Sequence, residues 1–145
     1  MAPIAAVLCG KQPPLAQFMI KNLAQKIELV MVCTSVDSAV SEIPALLKGE
    51  SVTPSSGLGS NAEGAGRSDV SLIIVGGGYS PADLEAIRSA VDAVKPLAFF
   101  VADTSKSPPG ATGPPPPDVI KKRIMDCIEG QEKGEGEFAP GVYMY

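Results

Sequence analysis

The stretch DVSLIIVGGGYSPAD, residues 69–83, decides the fold. Asp69 to Val75 is a short apolar run rich in β-branched residues, the composition of a strand buried on both faces. Gly76-Gly77-Gly78-Tyr79 ends it. Ser80-Pro81-Ala82-Asp83 then opens a helix, with a serine N-cap, proline at the first helical position and a carboxylate at the third. A strand feeding straight into a helix is half of a βαβ unit, so the flanking segments should repeat the pattern.

Upstream they do, twice. Ile4 to Cys9 (IAAVLC) is apolar and stops at Gly10; Pro13 and Pro14 then start a helix carrying Leu15, Phe18, Met19 and Leu23. Ile27 to Cys33 (IELVMVC) is closed by Thr34 and Ser35, and Val36, Val40, Ile43 and Leu47 follow at helical spacing up to Gly49. Pro44 inside that helix should kink or split it. Downstream, Pro96 to Ala102 (PLAFFVA) reads as a fourth strand, and Asp118 caps a last helix with Val119, Ile120, Ile124, Cys127 and Ile128 on one side.

Four strands alternating with four helices predict an α/β domain over residues 1–130. The expected architecture is a small, doubly wound, mostly parallel sheet, with right-handed crossovers and helices on both faces. The expected strand order is 2-1-3-4, as in flavodoxin-like proteins, rather than the Rossmann order 3-2-1-4, because the longest early loop can then jump over the first strand. That loop, residues 51–68, is rich in Ser, Gly, Pro and Asn and is expected to be flexible. Its SSGLGSNA segment looks like a nucleotide loop but precedes a strand, which assigns it to the opposite end of the sheet. A second loop spans 103–117 and includes a proline run of polyproline II character. Residues 131–145 form a polar linker and a tail with three of the chain's seven aromatics, Phe138, Tyr143 and Tyr145. The fourth strand would be an edge with apolar side chains on both faces, so the tail is expected to dock there, on its own sheet or on another subunit.

The composition narrows the chemistry. A formal net charge of −4 gives no electrostatic reason to bind nucleic acid, and the apolar N-terminal stretch is too short to cross a membrane. With no histidine, Ser-His-Asp and Cys-His mechanisms are excluded and the commonest zinc ligand is missing. Three cysteines without a CxxC pair read as reduced thiols of a cytoplasmic protein. Cys9, at a strand end before a helix, sits where a reactive thiolate could be stabilised. Phosphatases of that geometry need an arginine six residues on, where this chain has Leu15, so Cys9 reads as a small buried residue.

Ligands of doubly wound sheets bind outside the carboxyl ends of the strands, at the switch point of the strand order. That rule nominates Gly10 and Lys11 after the first strand, Gly76, Gly77, Gly78, Tyr79 and Ser80 after the third, and Asp103 and Thr104 after the fourth. Lys11 is the cation available to a phosphate. The three glycines either let backbone amides approach a ligand or supply positive φ to a turn. Tyr79 would be a wall, and Ser80 an N-cap. The first turn reads CGKQPP where a dinucleotide fingerprint demands GxGxxG, so NAD(P) is a cofactor candidate by position rather than by motif.

The order of pieces, SSGLGSNA before a strand ending VGGGYSP, then KPLAFFVADTSK, a proline run, DVIKKRI and a tail ending APGVYMY, resembles a small group of fungal proteins described only by a Rossmann-like or NAD(P)-binding-like fold. The likeness covers nearly the whole chain and implies that fold and little more. The leading expectation is a module binding a small phosphate-bearing or nucleotide ligand between the first and third loops. The alternative is a homodimer or partner-binding protein using the fourth strand and the aromatic tail. An enzyme using Tyr79, Lys11 or Asp103 as proton donor or acceptor is a third, weaker class.

Overall fold

The computed structural model describes residues 4–60, 69–76, 79–102, 117–132 and 138–145. The elements alternate along the chain as β1 (Ile4–Cys9), α1 (Pro13–Asn22), β2 (Ile27–Cys33), α2 (Val36–Leu47), β3 (Leu72–Val75), α3 (Pro81–Asp92), β4 (Ala98–Val101), α4 (Pro117–Gln131) and β5 (Gly141–Met144). All five strands are parallel, in the order β2-β1-β3-β4-β5. The expected order 2-1-3-4 is therefore present, with one more strand than the apolar runs predict. Among the described residues no helix is long and apolar enough to cross a membrane.

That extra strand is the tail, and it lies on its own sheet. Gly141 donates its N–H to Leu97 O and Tyr145 to Val101 O, so β5 closes the outer edge of β4. Burial drives the docking. Phe99 and Phe100 point to opposite faces and both are fully buried. Phe138 meets the Phe100 ring edge-on at 5.4 Å and Tyr143 meets it at 6.0 Å, a geometry worth roughly 0.5–1.5 kcal/mol per pair beyond the area buried.

Each face has its own core. Ala16, Met19 and Leu23 at α1 and Ile124 and Ile128 of α4 cover one side, against Ile4, Ala6, Leu8, Leu72, Ile74 and Phe100. On the other side, Ile43 and Leu46 of α2 and Ile87 and Val91 of α3 cover Val7, Ile73, Val75 and Phe99. Lys26 Nζ binds Glu132 Oε1 at 2.9 Å, tying the end of α4 to the start of β2. The placement of α4 departs from expectation. Connections from β3 to β4 and from β4 to β5 move the same way across the sheet, yet α3 and α4 lie on opposite faces, so the last crossover has the opposite hand to its neighbour. The rule favouring one hand acts through short connections that couple strand twist to the helix. Residues 102–116 are long enough to span about 50 Å extended, and the aromatic cluster on the α1 side needs a cover.

Three local expectations are corrected. Helix α2 runs through Pro44 as one element, because Pro44 lies in its last turn, and Gly49 follows with φ +84°. Asp118 lies in the first turn of α4, which begins at Pro117, rather than capping it. The third correction concerns residues 51–60, expected to be flexible and, at SSGLGSNA, to sit at the far end of the sheet. They pack along the outer edge of β2 instead. Val52 and Pro54 are buried, Val32 N–H binds Leu58 O, Ser60 N–H binds Leu29 O and Ser56 Oγ donates to Val32 O at 2.6 Å. Residues 61–68 of that loop lie outside the described set.

The edge segment fits around an irregularity. Ala6 pairs with Leu29 but Val7 pairs with Met31, so Val30 is an extra residue, a bulge in β2. Gly59 lies against it: a Cβ there would fall 2.6 Å from Val30 O and 2.7 Å from Met31 Cα, and its φ is +115°. Gly57, at φ +72°, faces open space. Gly57→Ala should therefore cost only its left-handed backbone, about 1–2 kcal/mol. Gly59→Ala should cost more, because the edge segment must also move off the bulge. Urea unfolding of the two variants checks the order, which equal losses would refute.

Candidate functional site

The strand order places one switch point, between β1 and β3, where the chain first steps outward to β2 and then turns back past β1. The carboxyl ends of these strands lead into Gly10, Lys11, Gly76, Tyr79 and Ser80, and the structure brings the described members of this predicted set together. Gly77, Gly78, Asp103 and Thr104 lie outside the described residues.

Tyr79 organises the cluster. Its hydroxyl donates to Cys33 O at 3.0 Å, so the side chain reaches from the β3 loop to the end of β2. Lys11 Nζ sits 4.9 Å from the Tyr79 ring centroid and 3.8 Å from Asp83 Oδ2, a cation between an aromatic face and a carboxylate. Desolvation, followed by the thiols of Cys9 and Cys33 and by Asp83, pushes the Tyr79 phenol above its ordinary range, so it stays protonated. A neutral phenol already bonded to a carbonyl is a wall and a brace, and a poor proton acceptor. Asp83, absent from the predicted set, is the further member of the cluster. Its position at N3 of the Ser-Pro-Ala-Asp start announces the helix cap but not the contact with Lys11.

The Gly10 and Gly76 amides are spent on the fold. Gly10 N–H binds Cys33 O and Gly76 N–H binds Cys9 O at 2.8 Å, extending the sheet by one residue on each strand. Gly76 is therefore not a free donor, contrary to the expectation for the glycine loop. Its negative φ and the 3.4 Å between a built Cβ and Cys9 O make it a close-approach position rather than a strained turn. Helix starts are closed as well. Pro13 and Pro14 remove donors from α1, Ser35 and Ser38 cap α2 reciprocally, and Ser80 and Asp83 do the same for α3. Ser80 thus serves as the N-cap. Asp83 is held below its ordinary carboxyl range first by the Ser80 amide, with Ser80 Oγ and Lys11 adding to it.

A second tyrosine supports the site from the opposite face. Tyr145, 4% exposed, donates its hydroxyl to Val75 O at 3.1 Å, at the residue before Gly76. The tail thus reaches past β4 to the base of the glycine loop. No group of three or more His, Cys, Asp or Glu residues among the described ones is placed to hold a metal ion.

No protein-family model matches the chain, and no solved structure matches it. Among curated proteins it is similar to Kojic acid related protein 6 of Aspergillus oryzae (strain ATCC 42149 / RIB 40). The two are 30% identical over 131 residues, which cover 88% of this chain and 77% of that protein.

Two measurements follow from the geometry. Ser80→Ala removes the cap and should destabilise the protein by about 1 kcal/mol, read by chemical denaturation; a change below 0.3 kcal/mol, as a rough bound, would mean the cap contributes nothing. Burial raises the Tyr145 phenol as it does that of Tyr79. A raised acid is stabilised neutral in the folded state, so this stability is complete below the unfolded value near pH 10 and declines as pH rises above it. Tyr145→Phe should be less stable at neutral pH but lose less on going from pH 9 to pH 11; a loss as steep as wild type would contradict the burial of that phenol.

Proposed function

The chain belongs to the same fungal protein family as Kojic acid related protein 6, and from that premise we propose that it is a small-molecule-binding module with its ligand outside the carboxyl ends of β1 and β3. The observation that carries the reading is the coincidence of the switch point with Lys11 and Tyr79, a half-exposed cation beside an aromatic wall. The ligand class is a phosphate-bearing or nucleotide compound, with Lys11 as the anion contact. Since the amides of Gly10 and Gly76 are engaged in the sheet, such a ligand is held by side chains here rather than by a cradle of those amides, and it draws Lys11 from Asp83. The relative's name adds kojic acid, a small hydroxylated oxygen heterocycle, to the compounds worth testing.

The test is thermal unfolding with NAD, NADPH, FMN, coenzyme A, ATP, inorganic phosphate and kojic acid. A ligand at about 100 times its dissociation constant stabilises the native state by roughly 2.7 kcal/mol, a rise of about 5–10 °C at this chain length. One compound should raise Tm in the wild type and fail to do so in Lys11→Ala. No shift with any compound, or a shift that survives in Lys11→Ala, refutes the site.

A second reading rests on the unequal treatment of the two sheet edges. The edge of β2 is covered by residues 56–60, whereas no further strand pairs with the outer edge of β5 among the described residues, and Val142 and Met144 are 37% and 50% exposed there. Two copies pairing β5 antiparallel about a two-fold axis would satisfy that edge. Light scattering should then report a dimer that Val142→Lys converts to monomer; a wild type that is monomeric at every concentration removes this reading.

A further inference from the structure

We propose that Cys9 and Cys33 together form a two-sulfur binding site for Cu(I), a soft monovalent metal ion. The two cysteines are the last residues of β1 and β2 and face each other directly in the register of the sheet. Both are free and fully buried.

The bulge brings them to the same side. Strict alternation from Ile27 and Leu29, which face α1, would send Cys33 to that face too. Val30, inserted without a partner, reverses the strand from Met31 onward and turns Cys33 toward α2, where Cys9 already points. A bulge in a parallel pair is uncommon, and here residues 58–60 are fitted around it. The pairing of the thiols is thus a product of local construction rather than of the sheet's ordinary pleat.

Neighbouring strands lie about 4.7–4.9 Å apart, within the Cα separations of roughly 4.4–6.8 Å that a disulfide spans, but both thiols are free. Two metal–thiolate bonds of about 2.3 Å placed end to end span about 4.6 Å, a gap that side chains standing parallel on neighbouring strands can hold. Zinc wants four ligands, and the described residues supply no third His, Cys, Asp or Glu to these two; Cu(I) is satisfied by two thiolates in line. In the step, each thiol releases its proton to solvent and each sulfur donates a lone pair to the ion, with no change of oxidation state. The resulting single negative charge lies near the start of α2, whose first-turn residue Ser38 is buried. Contact with Cys9 first, and burial second, raise the Cys33 thiol well above its ordinary range. Tyr79 donates its hydroxyl to Cys33 O at the end of β2.

The experiment is anaerobic Cu(I) titration in competition with bicinchoninate, on wild type and on Cys9→Ala, Cys33→Ala and Cys127→Ala. One ion per chain should bind to wild type and, with equal affinity, to Cys127→Ala. Either of the other variants should weaken binding at least 100-fold while circular dichroism shows the fold retained. Undiminished binding in Cys9→Ala or Cys33→Ala, loss in Cys127→Ala, or no binding to wild type overturns the site. Should an alanine variant unfold, X-ray absorption of the copper-loaded wild type decides: two sulfur ligands support the proposal, and a nitrogen, an oxygen or a third sulfur refutes it.

Discussion

Burying both rings of the Phe99-Phe100 pair is the constraint from which most of this architecture follows. Adjacent residues on a strand point to opposite faces, so β4 needs an apolar cover on each side, and full burial of one such ring contributes roughly 1.5–3 kcal/mol. On the α3 side the cover is supplied locally, by Ile87 and Val91 one turn apart. On the other side it comes from far along the chain: α4 brings Ile124 and Ile128, and the tail brings Phe138 and Tyr143. That demand accounts for the reversed hand of the last crossover. A helix placed by the usual rule would have joined α3 and withheld Ile124 and Ile128 from the face that Phe100 occupies.

The same tail links the outer edge of the sheet to its functional end. Through Tyr145 the fifth strand reaches Val75, one residue from the glycine loop, while Tyr79 crosses from that loop to Cys33 on the opposite face. The two phenols brace the carboxyl ends of the strands from above and below. The switch-point cluster is therefore coupled to the docking of the last residues, although none of them touches Lys11 or Asp83 in the contacts described above.

Much of this was legible in the residues, and the misses have physical causes. Alternating apolar runs and cap sequences gave four strands and four helices, and the long connection between β2 and β3 gave the strand order. The fifth strand was hidden because Gly141–Met144 has only four residues and an exposed alternate face, too little period to separate a strand from a tail. Composition does not reveal the packing of the edge segment 51–60, because it averages over residues. Val52, Pro54 and Leu58 do pack, and of the glycines that suggested flexibility Gly59 is required by close approach to the bulge and Gly57 by its left-handed backbone. The bulge itself has no signature in IELVMVC, since every residue around it is apolar. At the site, the positions after β1 and β3 were identifiable from topology, whereas the consumption of the Gly10 and Gly76 amides and the role of Asp83 depend on three-dimensional pairing that no local spacing encodes.

The architecture rests on the tail being part of the same chain's sheet. Hydrogen exchange of residues 138–145, followed by mass spectrometry across a hundredfold range of protein concentration, reads this directly. We expect the peptide to be protected to the same degree at every concentration, as intramolecular pairing with β4 requires. Exchange at the rate of a free chain, or protection that appears only as concentration rises, would contradict it.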